Sequence, residues 1–391
     1  MNHTMPKHIG DYNKNQMLSI LRERGPTSRV ELSRLLGISP TAVTRNTSQL
    51  LNKGIIKECG AEESNMGRRP VPVGLCGDFC YVVGADIVGG ILKAALADLL
   101  GNIIKYYEEP IFHLKDPHAV MGLLLSRLRN IISEANVPQE KIWVVTIGTP
   151  GIFNPETGKS QHSFFMNRWE DIDIRSLVFE ALSIETYIEN DVNLDVIGES
   201  WKGVGKDYDN ILYVKLGQGL AARLVLNGKL LRGEHNMAGE VGYMVPGLPH
   251  IDSENSFETP VKNYEHLLSN AAVCREYWEL TEESSLNTIS DLCALANSGD
   301  EAAKKVINRL LDQFAVVLLN SATVMDPQVI ILGGDACSFG EKEVSMLKHR
   351  VEQNFPLTQN ITPSMLNKQA CLYGAIKMGL DRVEERITSI W

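Results

Sequence analysis

Small and acidic residues recur at the ends of apolar stretches, in positions where they could bind a ligand. Asp86 lies near the end of one such stretch and is followed by Gly89 and Gly90, and a second stretch is followed by Gly217 and Gly219. Glycines at these positions let a ligand approach the backbone closely, although each pair could equally form only a tight turn. Because the pattern recurs in both halves of the chain, it predicts two related α/β lobes with a binding cleft between them.

A group of short polar residues near the start of the chain could contact DNA. Ser39 is a good N-cap and Pro40 suits the first position of a helix, so a helix is predicted from there to about Lys53. Val43 and Leu50 point inward on this helix. The opposite face carries short polar side chains and one arginine, which suit a helix that enters the major groove. The predicted DNA-binding residues of this helix are Pro40, Thr41, Thr44, Arg45 and Ser48.

Two further helices precede this predicted recognition helix. The first is predicted from about Asn13 to Arg24, and Gly25 ends it. The second opens at Ser28, which forms a capping-box pattern with Glu31. The residues that the second helix should bury are Val30, Leu32, Leu35 and Leu36. Three helices in this order, with a tight turn before the third, are typical of a helix-turn-helix domain.

A strand pair is predicted after the recognition helix and would form a wing. The strands are expected at residues 54–57 and 70–73, on either side of a polar loop. Arg68 and Arg69 lie at the return arm of this wing, where they could reach phosphates or the minor groove. The alternative is a small helical protein-interaction module with a basic face.

The charge of the chain is unevenly spread. Residues 1–75 carry eleven Lys and Arg but six Asp and Glu, a net charge of +5, whereas the whole chain carries −10. Residues 1–75, which we call the head, are basic, whereas the rest of the chain is acidic. This distribution indicates that only the head binds a polyanion. We therefore predict a winged helix-turn-helix DNA-binding domain over residues 1–75 and a second, larger unit over residues 76–391.

Length and composition limit the class of protein. The 391 residues are enough for two or three domains, and 44% hydrophobic and 22% charged residues are typical of a globular protein. Membrane helices need roughly 18 apolar residues, and the sequence has no such run and no signal-peptide core over residues 1–10. We therefore expect a cytoplasmic protein without a membrane partner. The seven scattered cysteines are expected to be free thiols, with a metal site at Cys76 and Cys80 as the weaker alternative.

The most specific motifs of the chain are two runs in its central part and one in the wing. They are Glu189-Asn190-Asp191-Val192-Asn193 followed by Gly198-Glu199, then Ala238-Gly239-Glu240-Val241-Gly242, and Gly67-Arg68-Arg69-Pro70 in the wing. With these motifs the chain, from about residue 10 to 385, resembles the ROK family (repressors, open reading frames and kinases), in its xylose- and N-acetylglucosamine-type repressor branch. The resemblance implies that a two-lobed actin-like, hexokinase-type domain follows the winged helix-turn-helix.

The resemblance also implies a sugar-binding site. In the family, residues at the positions of Asn190 and Asp191 hydrogen-bond sugar hydroxyls, and the aspartate is the general base of kinase members. Glu240 and Glu265 match two further glutamates of the sugar pocket, and Tyr243 stands where the family usually has a histidine. Carboxylates and amides supply the oriented donors and acceptors that sugar hydroxyls need. The alternative for Asn190 and Asp191 is a turn before a helix.

Three departures from the family pattern bear on catalysis and metal binding. The first phosphate loop lacks its threonine after Gly90, and the second has Gln218 in place of threonine. A phosphate cradle needs small residues and open amides, so ATP binding is not expected. The cysteine cluster and histidine of the family's zinc site are missing, and His250, Asp252 and His266 lack the spacing of a tetrahedral site. We therefore predict no metal site, no catalytic residue and no cofactor.

Taken together, the sequence predicts a sugar-responsive transcriptional regulator of carbohydrate-metabolism genes that acts as a repressor and is not an enzyme. Its expected partners are operator DNA and a small sugar or sugar-phosphate effector. A homodimer or homotetramer is expected, because one winged helix covers too little DNA for tight specific binding. The alternatives are an ATP-dependent sugar kinase fused to a DNA-binding head and a ligand-independent dimeric regulator.

Overall fold

The computed structural model describes residues 5–60, 71–154, 159–161, 168–246, 263–356 and 358–388. The first part of the chain forms three helices and a three-stranded antiparallel sheet in the order β1-β3-β2. These elements are α1 (Met5–Arg24), β1 (Thr27–Ser28), α2 (Arg29–Leu36), α3 (Pro40–Asn52), β2 (Ile56–Glu58) and β3 (Pro72–Leu75). The predicted winged helix-turn-helix is confirmed, and β2 and β3 are the strands of its wing.

Local capping explains where the head's helices begin and end. The Ser28 hydroxyl accepts a hydrogen bond from the Glu31 amide (3.2 Å), and Gly37 ends α2 in the left-handed conformation. The expectation that α2 buries Val30 is wrong, because this side chain lies in the first turn of α2 and is 70% exposed. Arg68 and Arg69, predicted to contact DNA, lie outside the described residues.

The first lobe is built on a five-stranded sheet in the order β10-β7-β4-β5-β6. Strands β4, β5 and β6 are antiparallel neighbours. On the other side of β4, β7 pairs with it in parallel, and β10 pairs in parallel with β7. The elements are β4 (Tyr81–Val88), β5 (Ile91–Asp98), β6 (Ile103–Pro110), α4 (Pro117–Glu134), β7 (Ile142–Thr149), β8 (Ile152–Asn154), β9 (Lys159–Gln161), α5 (Ile174–Leu182) and β10 (Glu185–Asn190). Helices α4 and α5 bury their apolar faces against this sheet.

The second lobe repeats this arrangement with the strand order β13-β12-β11-β14-β15. Its first three strands are again antiparallel, and the last two are parallel. The elements are β11 (Ile211–Leu216), β12 (Leu220–Leu226), β13 (Lys229–Leu231), α7 (Tyr264–Leu268), α8 (Asn270–Thr281), α9 (Ile289–Asn297), α10 (Glu301–Met325), β14 (Val329–Gly334), α11 (Glu341–Glu352) and β15 (Ile361–Pro363). The prediction of two related α/β lobes is therefore confirmed.

Two helices, α6 (Asp191–Lys202) and α12 (Ala370–Thr388), connect the lobes. The valines of α6 pack on the second sheet, and α12 packs on β4 and β7 of the first. The two helices cross closely at Gly198 and Gly374, where an added Cβ would overlap backbone atoms of the other helix. This crossing fixes the start of α6, which carries Asp191, between the two sheets.

The head shares a hydrophobic cluster with the first lobe. Met17 and Leu21 of α1 belong to the same cluster as Leu380 and Val383 of α12. Residues on both sides are completely buried or nearly so. None of the helices in the described ranges has the length and apolar character required to cross a membrane.

Candidate functional site

The candidate ligand cleft centres on the junction of β10 and α6. Asn190 is the N-cap of α6, and its Oδ1 accepts hydrogen bonds from the amides of Val192 (3.0 Å) and Asn193 (3.1 Å). Its Nδ2 donates to the Gly151 carbonyl (2.9 Å) and to Asp191 Oδ1 (3.2 Å). The turn that precedes a helix is thus present, and it holds the aspartate at the start of α6.

Arg223 of β12 reaches this junction from the second lobe. Its Nη2 donates to Asn190 Oδ1 (3.1 Å) and to Glu240 Oε1 (2.7 Å), and its Nη1 donates to the Ala222 carbonyl (2.6 Å). Arg223 is only 2% exposed. The Asn190 amide therefore uses both of its donor hydrogens, and its oxygen accepts from three donors, which more than fills its two lone pairs. Asn190 positions its neighbours here and has no bond left for a ligand.

Lys215 of β11 makes a second link between the lobes. Its Nζ lies 2.8 Å from Asp191 Oδ2 and 2.8 Å from Asp195 Oδ2, one helical turn apart on α6. Burial alone would lower the pKa of Lys215, but the two carboxylates raise it well above its usual value. Burial raises the pKa of Asp195, which Lys215 partly offsets. The ammonium and the two carboxylates thus form a compact, partly buried ionic cluster.

The remaining predicted sugar-binding residues surround the same cleft from the second lobe. Glu265 of α7 accepts a hydrogen bond from the Leu220 amide (2.9 Å), and burial followed by the charge of Glu240 raises its pKa. Burial, and then the charges of Glu240 and Glu265, raise the pKa of Tyr243. The structure therefore brings Asn190, Asp191, Glu240, Tyr243 and Glu265 together.

The glycines of the two loops have structural explanations. Gly89 and Gly90 adopt φ values of 62° and 72° in the turn from β4 to β5, and a Cβ on Gly90 would overlap the Phe112 ring. A Cβ on Gly219 would lie 2.5 Å from Glu265 Oε1, and one on Gly217 would lie 3.2 Å from Asp335 Oδ2. These glycines allow tight turns and close carboxylate packing, the alternative to a phosphate-binding role.

Asp86 of β4 is completely buried and pairs with Lys93 of β5, with Nζ and Oδ2 3.3 Å apart. Burial raises the pKa of Asp86 to about 6, although the Lys93 charge opposes this. Lys93 also donates to the Lys368 carbonyl at the start of the segment that leads into α12. Asp86 is thus part of the packing between the first lobe and α12.

Sequence reasoning missed several charged residues of the cleft. Each cation stands in or next to an apolar strand, where a lone charged residue is unusual and could have served as a signal. Arg223, for example, interrupts the run from Leu220 to Leu226. The missed residues are Lys93, Asp195, Lys215, Arg223 and Arg232, the last of which pairs with Glu189 (2.6 Å).

The predicted recognition face of α3 is exposed. Val43 and Leu50 are fully buried, and Thr47 between them is 1% exposed. The exposed residues of α3 are Pro40, Thr41, Thr44, Arg45 and Ser48, together with Gln49 and Asn52, which the sequence analysis did not select. Arg29 braces α2 against the wing through Glu58 (2.7 Å) and the Val71 carbonyl (3.3 Å).

The metal prediction concerns residues that are only partly described. Within the described ranges there is no group of three or more His, Cys, Asp or Glu residues that could hold a metal ion. All seven cysteines, including Cys76 and Cys80, are free thiols. His250 and Asp252 lie outside the described residues, and His266 bonds to Asn263 Oδ1 through Nδ1 (2.9 Å).

Comparison with known proteins matches one family model near the start of the chain and another over most of the rest. The model of the winged helix-turn-helix DNA-binding family matches residues 11–57, and that of the ROK family matches residues 82–382. The xylose repressor of Caldicellulosiruptor bescii is 26% identical over 96% of both chains. A glucokinase of Halalkalibacterium halodurans is 24% identical over 70% of this chain and 85% of its own.

A solved structure resembles the entire fold. It is that of a ROK family transcriptional regulator, a homologue of the Escherichia coli MLC protein. It superimposes with a TM-score of 0.79 at 22% identity and covers 97% of this chain and 99% of its own. The predicted two-lobed fold behind a winged helix-turn-helix is thus confirmed. The chain belongs to the ROK family and is a transcriptional regulator of the kind that carries an N-terminal winged helix-turn-helix DNA-binding domain.

Proposed function

We propose that the protein represses carbohydrate-metabolism genes and that a small sugar bound in the cleft changes its affinity for operator DNA. The observation that carries the proposal is the convergence of Asp191, Glu240 and Glu265 on a cleft in a chain that also exposes a recognition helix. Carboxylates accept hydrogen bonds from sugar hydroxyls, which fits an uncharged polyhydroxylated effector.

The DNA-binding face supports the first half of this proposal. Thr41, Thr44, Arg45 and Ser48 share one exposed side of α3, and the buried Val43 and Leu50 fix the opposite side. Short polar side chains and an arginine can approach base edges in the major groove. We propose a homodimer or homotetramer as the DNA-binding form, because paired heads can occupy two half-sites.

A sugar kinase is the second candidate, and the glucokinase relative favours it. The two phosphate loops oppose it, because a threonine is missing after Gly90 and Gln218 replaces the threonine of the second loop. We therefore propose that the protein is not an enzyme and does not use ATP, and the missing cysteine cluster leads us to propose that it uses no zinc.

A ligand-independent regulator is the third candidate. The bond network of Arg223 favours it, because the guanidinium already joins Asn190 to Glu240 without a ligand. Asp191 and Glu240 nevertheless keep exposed side-chain fractions of 10% and 18%. These exposed carboxylate surfaces leave room for hydroxyl contacts, so we favour the sugar-responsive regulator.

Replacing Asp191 tests the sensing role. Asp191→Asn keeps the shape of the side chain but removes its charge and one acceptor, and it should weaken sugar binding by about 1.5–3 kcal/mol, as for hydrogen bonds to a charged group. The measurement is operator binding on a DNA site selected from random sequence, titrated with D-xylose, D-glucose or N-acetylglucosamine. DNA affinity without sugar should stay unchanged, whereas release should need at least about tenfold more sugar.

Glu240→Gln provides the parallel variant, and Asp312→Asn on α10 provides a control of equal charge change away from the cleft. Equal sugar sensitivity in Asp191→Asn, Glu240→Gln and wild type would favour the ligand-independent regulator. Steady ADP release with a hexose, abolished by Asp191→Asn, would instead establish the kinase.

A further inference from the structure

The basic side chains of the cleft are all engaged by carboxylates of the protein itself. Arg223 Nη2 uses both of its hydrogens on Asn190 and Glu240, and Lys215 uses two of its three on Asp191 and Asp195. The other two cation pairs of the described cleft are Lys93 with Asp86 and Arg232 with Glu189. Each of these cations thus already has a carboxylate partner that an incoming anion would have to displace or share, and Arg232 is the one that keeps a large exposed side-chain fraction, 42%.

The carboxylates of this region outnumber its cations. The described carboxylates are Asp86, Glu189, Asp191, Asp195, Glu240 and Glu265, and the described cations are Lys93, Lys215, Arg223 and Arg232. The two carboxylates in excess are Asp195, which shares Lys215 with Asp191, and Glu265, which binds only a backbone amide among its described contacts. A like charge brought into a partly buried site meets weakly screened repulsion.

Asp195 makes the net charge of the ligand-facing part of the cleft negative. It is 4% exposed, and among its described contacts it reaches the cleft through the Lys215 ammonium, which also binds Asp191. Without Asp195, Lys215 would neutralise Asp191 and retain two hydrogens to donate. With Asp195 in place, the three-residue cluster carries one net negative charge directly beside the predicted hydroxyl contacts of Asp191.

We infer that Asp195, acting through Lys215, makes the cleft select an uncharged sugar and reject its phosphorylated form. The inference rests on the proposed sugar-sensing function and decides between the two effector classes, sugar and sugar phosphate. Asp195 is a positioning residue, because it holds the lysine and does not itself line the exposed part of the cleft. Glu240 also favours an uncharged sugar, since its carboxylate binds the Arg223 guanidinium, which would otherwise be a partner for a phosphate.

Calorimetric titration of the full-length protein tests the inference. The probes are D-glucose and N-acetylglucosamine, each beside its 6-phosphate, and D-xylose as a further neutral sugar. In wild type we expect a neutral sugar to bind at least about tenfold more tightly than its phosphate, and added salt should change this ratio little because the site is partly buried. Asp195→Asn should lower the ratio of sugar affinity to sugar-phosphate affinity by about tenfold, because one negative charge is removed close to the ligand.

Two matched variants separate selectivity from folding. Asp195→Glu restores the charge and should restore the selectivity, and Asp312→Asn removes a distant carboxylate and should leave it unchanged. A phosphate that binds wild type as tightly as its parent sugar would overturn the inference and leave sugar sensing intact. The inference would also be overturned if a folded Asp195→Asn variant had the same ratio of sugar affinity to sugar-phosphate affinity as wild type. Failure of every probe to bind wild type and variants would overturn the proposed function as well.

Discussion

At the scale of single residues, the chemistry of the cleft depends on cations that stand in apolar strands. Lys215 and Arg223 lie on β11 and β12, yet both reach across to α6 and its N-cap. Arg223 is buried and Lys215 is partly buried, and a buried charge is tolerated only where it is paired. In these pairs, Lys215 binds one oxygen of Asp191, and Arg223 binds the Asn190 amide and one oxygen of Glu240. The residues of the sugar motif therefore also stabilise the contact between the second sheet and α6.

Arg45 is the residue through which we expect α3 to distinguish bases. It is exposed on the same face as Thr41, Thr44 and Ser48, and an arginine there can make a bidentate contact to guanine. Arg45→Ala should weaken binding to the selected site by about 1–3 kcal/mol and relax the base preference. The measurement is fluorescence anisotropy on the selected site and on single-base variants of it.

Arg309→Ala is the control for this prediction, because it removes the same charge from an exposed pair with Glu276 far from the head. It should not change DNA affinity. If Arg45→Ala weakened binding equally to every sequence, Arg45 would contact phosphate and would not read bases.

At the scale of secondary-structure elements, the crossing of α6 and α12 sets the position of the site. Gly198 and Gly374 face backbone atoms of the opposite helix, so the two helices touch without intervening side chains. Both sheets pack against this pair, and Asp191 is the first residue of α6. A change in the crossing would therefore move the carboxylate relative to the residues of the second lobe.

Gly374→Ala tests this crossing. The added methyl would overlap the carbonyl of Leu194, which is backbone and cannot move away cheaply, so we expect a loss of unfolding free energy of about 1–3 kcal/mol or more. The measurement is urea unfolding. Gly122→Ala in α4 is the matched control, since nothing lies within 4 Å of its added Cβ, and it should be neutral or stabilise by about 0.5–1 kcal/mol. Equal stability of the two variants would show that the crossing is loose.

At the scale of the whole molecule, α12 joins the cleft to the DNA-binding head. Its first half crosses α6, and its second half contributes Leu380 and Val383 to the hydrophobic cluster that also contains Met17 and Leu21 of α1. An ion pair between Arg22 of α1 and Glu384 of α12 lies beside this contact. If an effector shifts α6, we expect α12 to carry that shift to the head.

Glu384→Gln should weaken this communication. Removing the charge loosens α12 from α1, so the factor by which sugar changes operator affinity should fall severalfold, within the usual 1–3 kcal/mol of a coupling free energy. The measurement is the operator dissociation constant with and without saturating sugar. Sugar affinity without DNA should stay unchanged.

Glu385→Gln is the control on the same helix, because Glu385 pairs with Arg382 at the surface and does not reach the head. An unchanged coupling factor in Glu384→Gln would mean that the effector signal does not pass through the ion pair between the head and α12.

The sequence by itself determined the elements that local rules control. Ser28, Ser39 and Asn190 cap helices through bonds to amides two or three residues away, so the caps could be predicted from sequence. The alternation of apolar strands with turns predicted both lobes, and the family motifs predicted which side chains meet in the cleft. Val30 shows the limit of such rules, because helical spacing alone does not say which side of a short helix faces its neighbours.

Only the tertiary structure decided which charges meet. Lys215 lies 20 residues from Asp195 in the chain, and Arg223 lies 33 residues from Asn190, so no local pattern links them. These pairs form because β11 and β12 of the second sheet face α6, whose position depends on the packing of α12 against the first sheet. Ionic pairing acts over a few ångströms in space and is independent of sequence separation, so the charge of the cleft emerges only once the lobes are assembled.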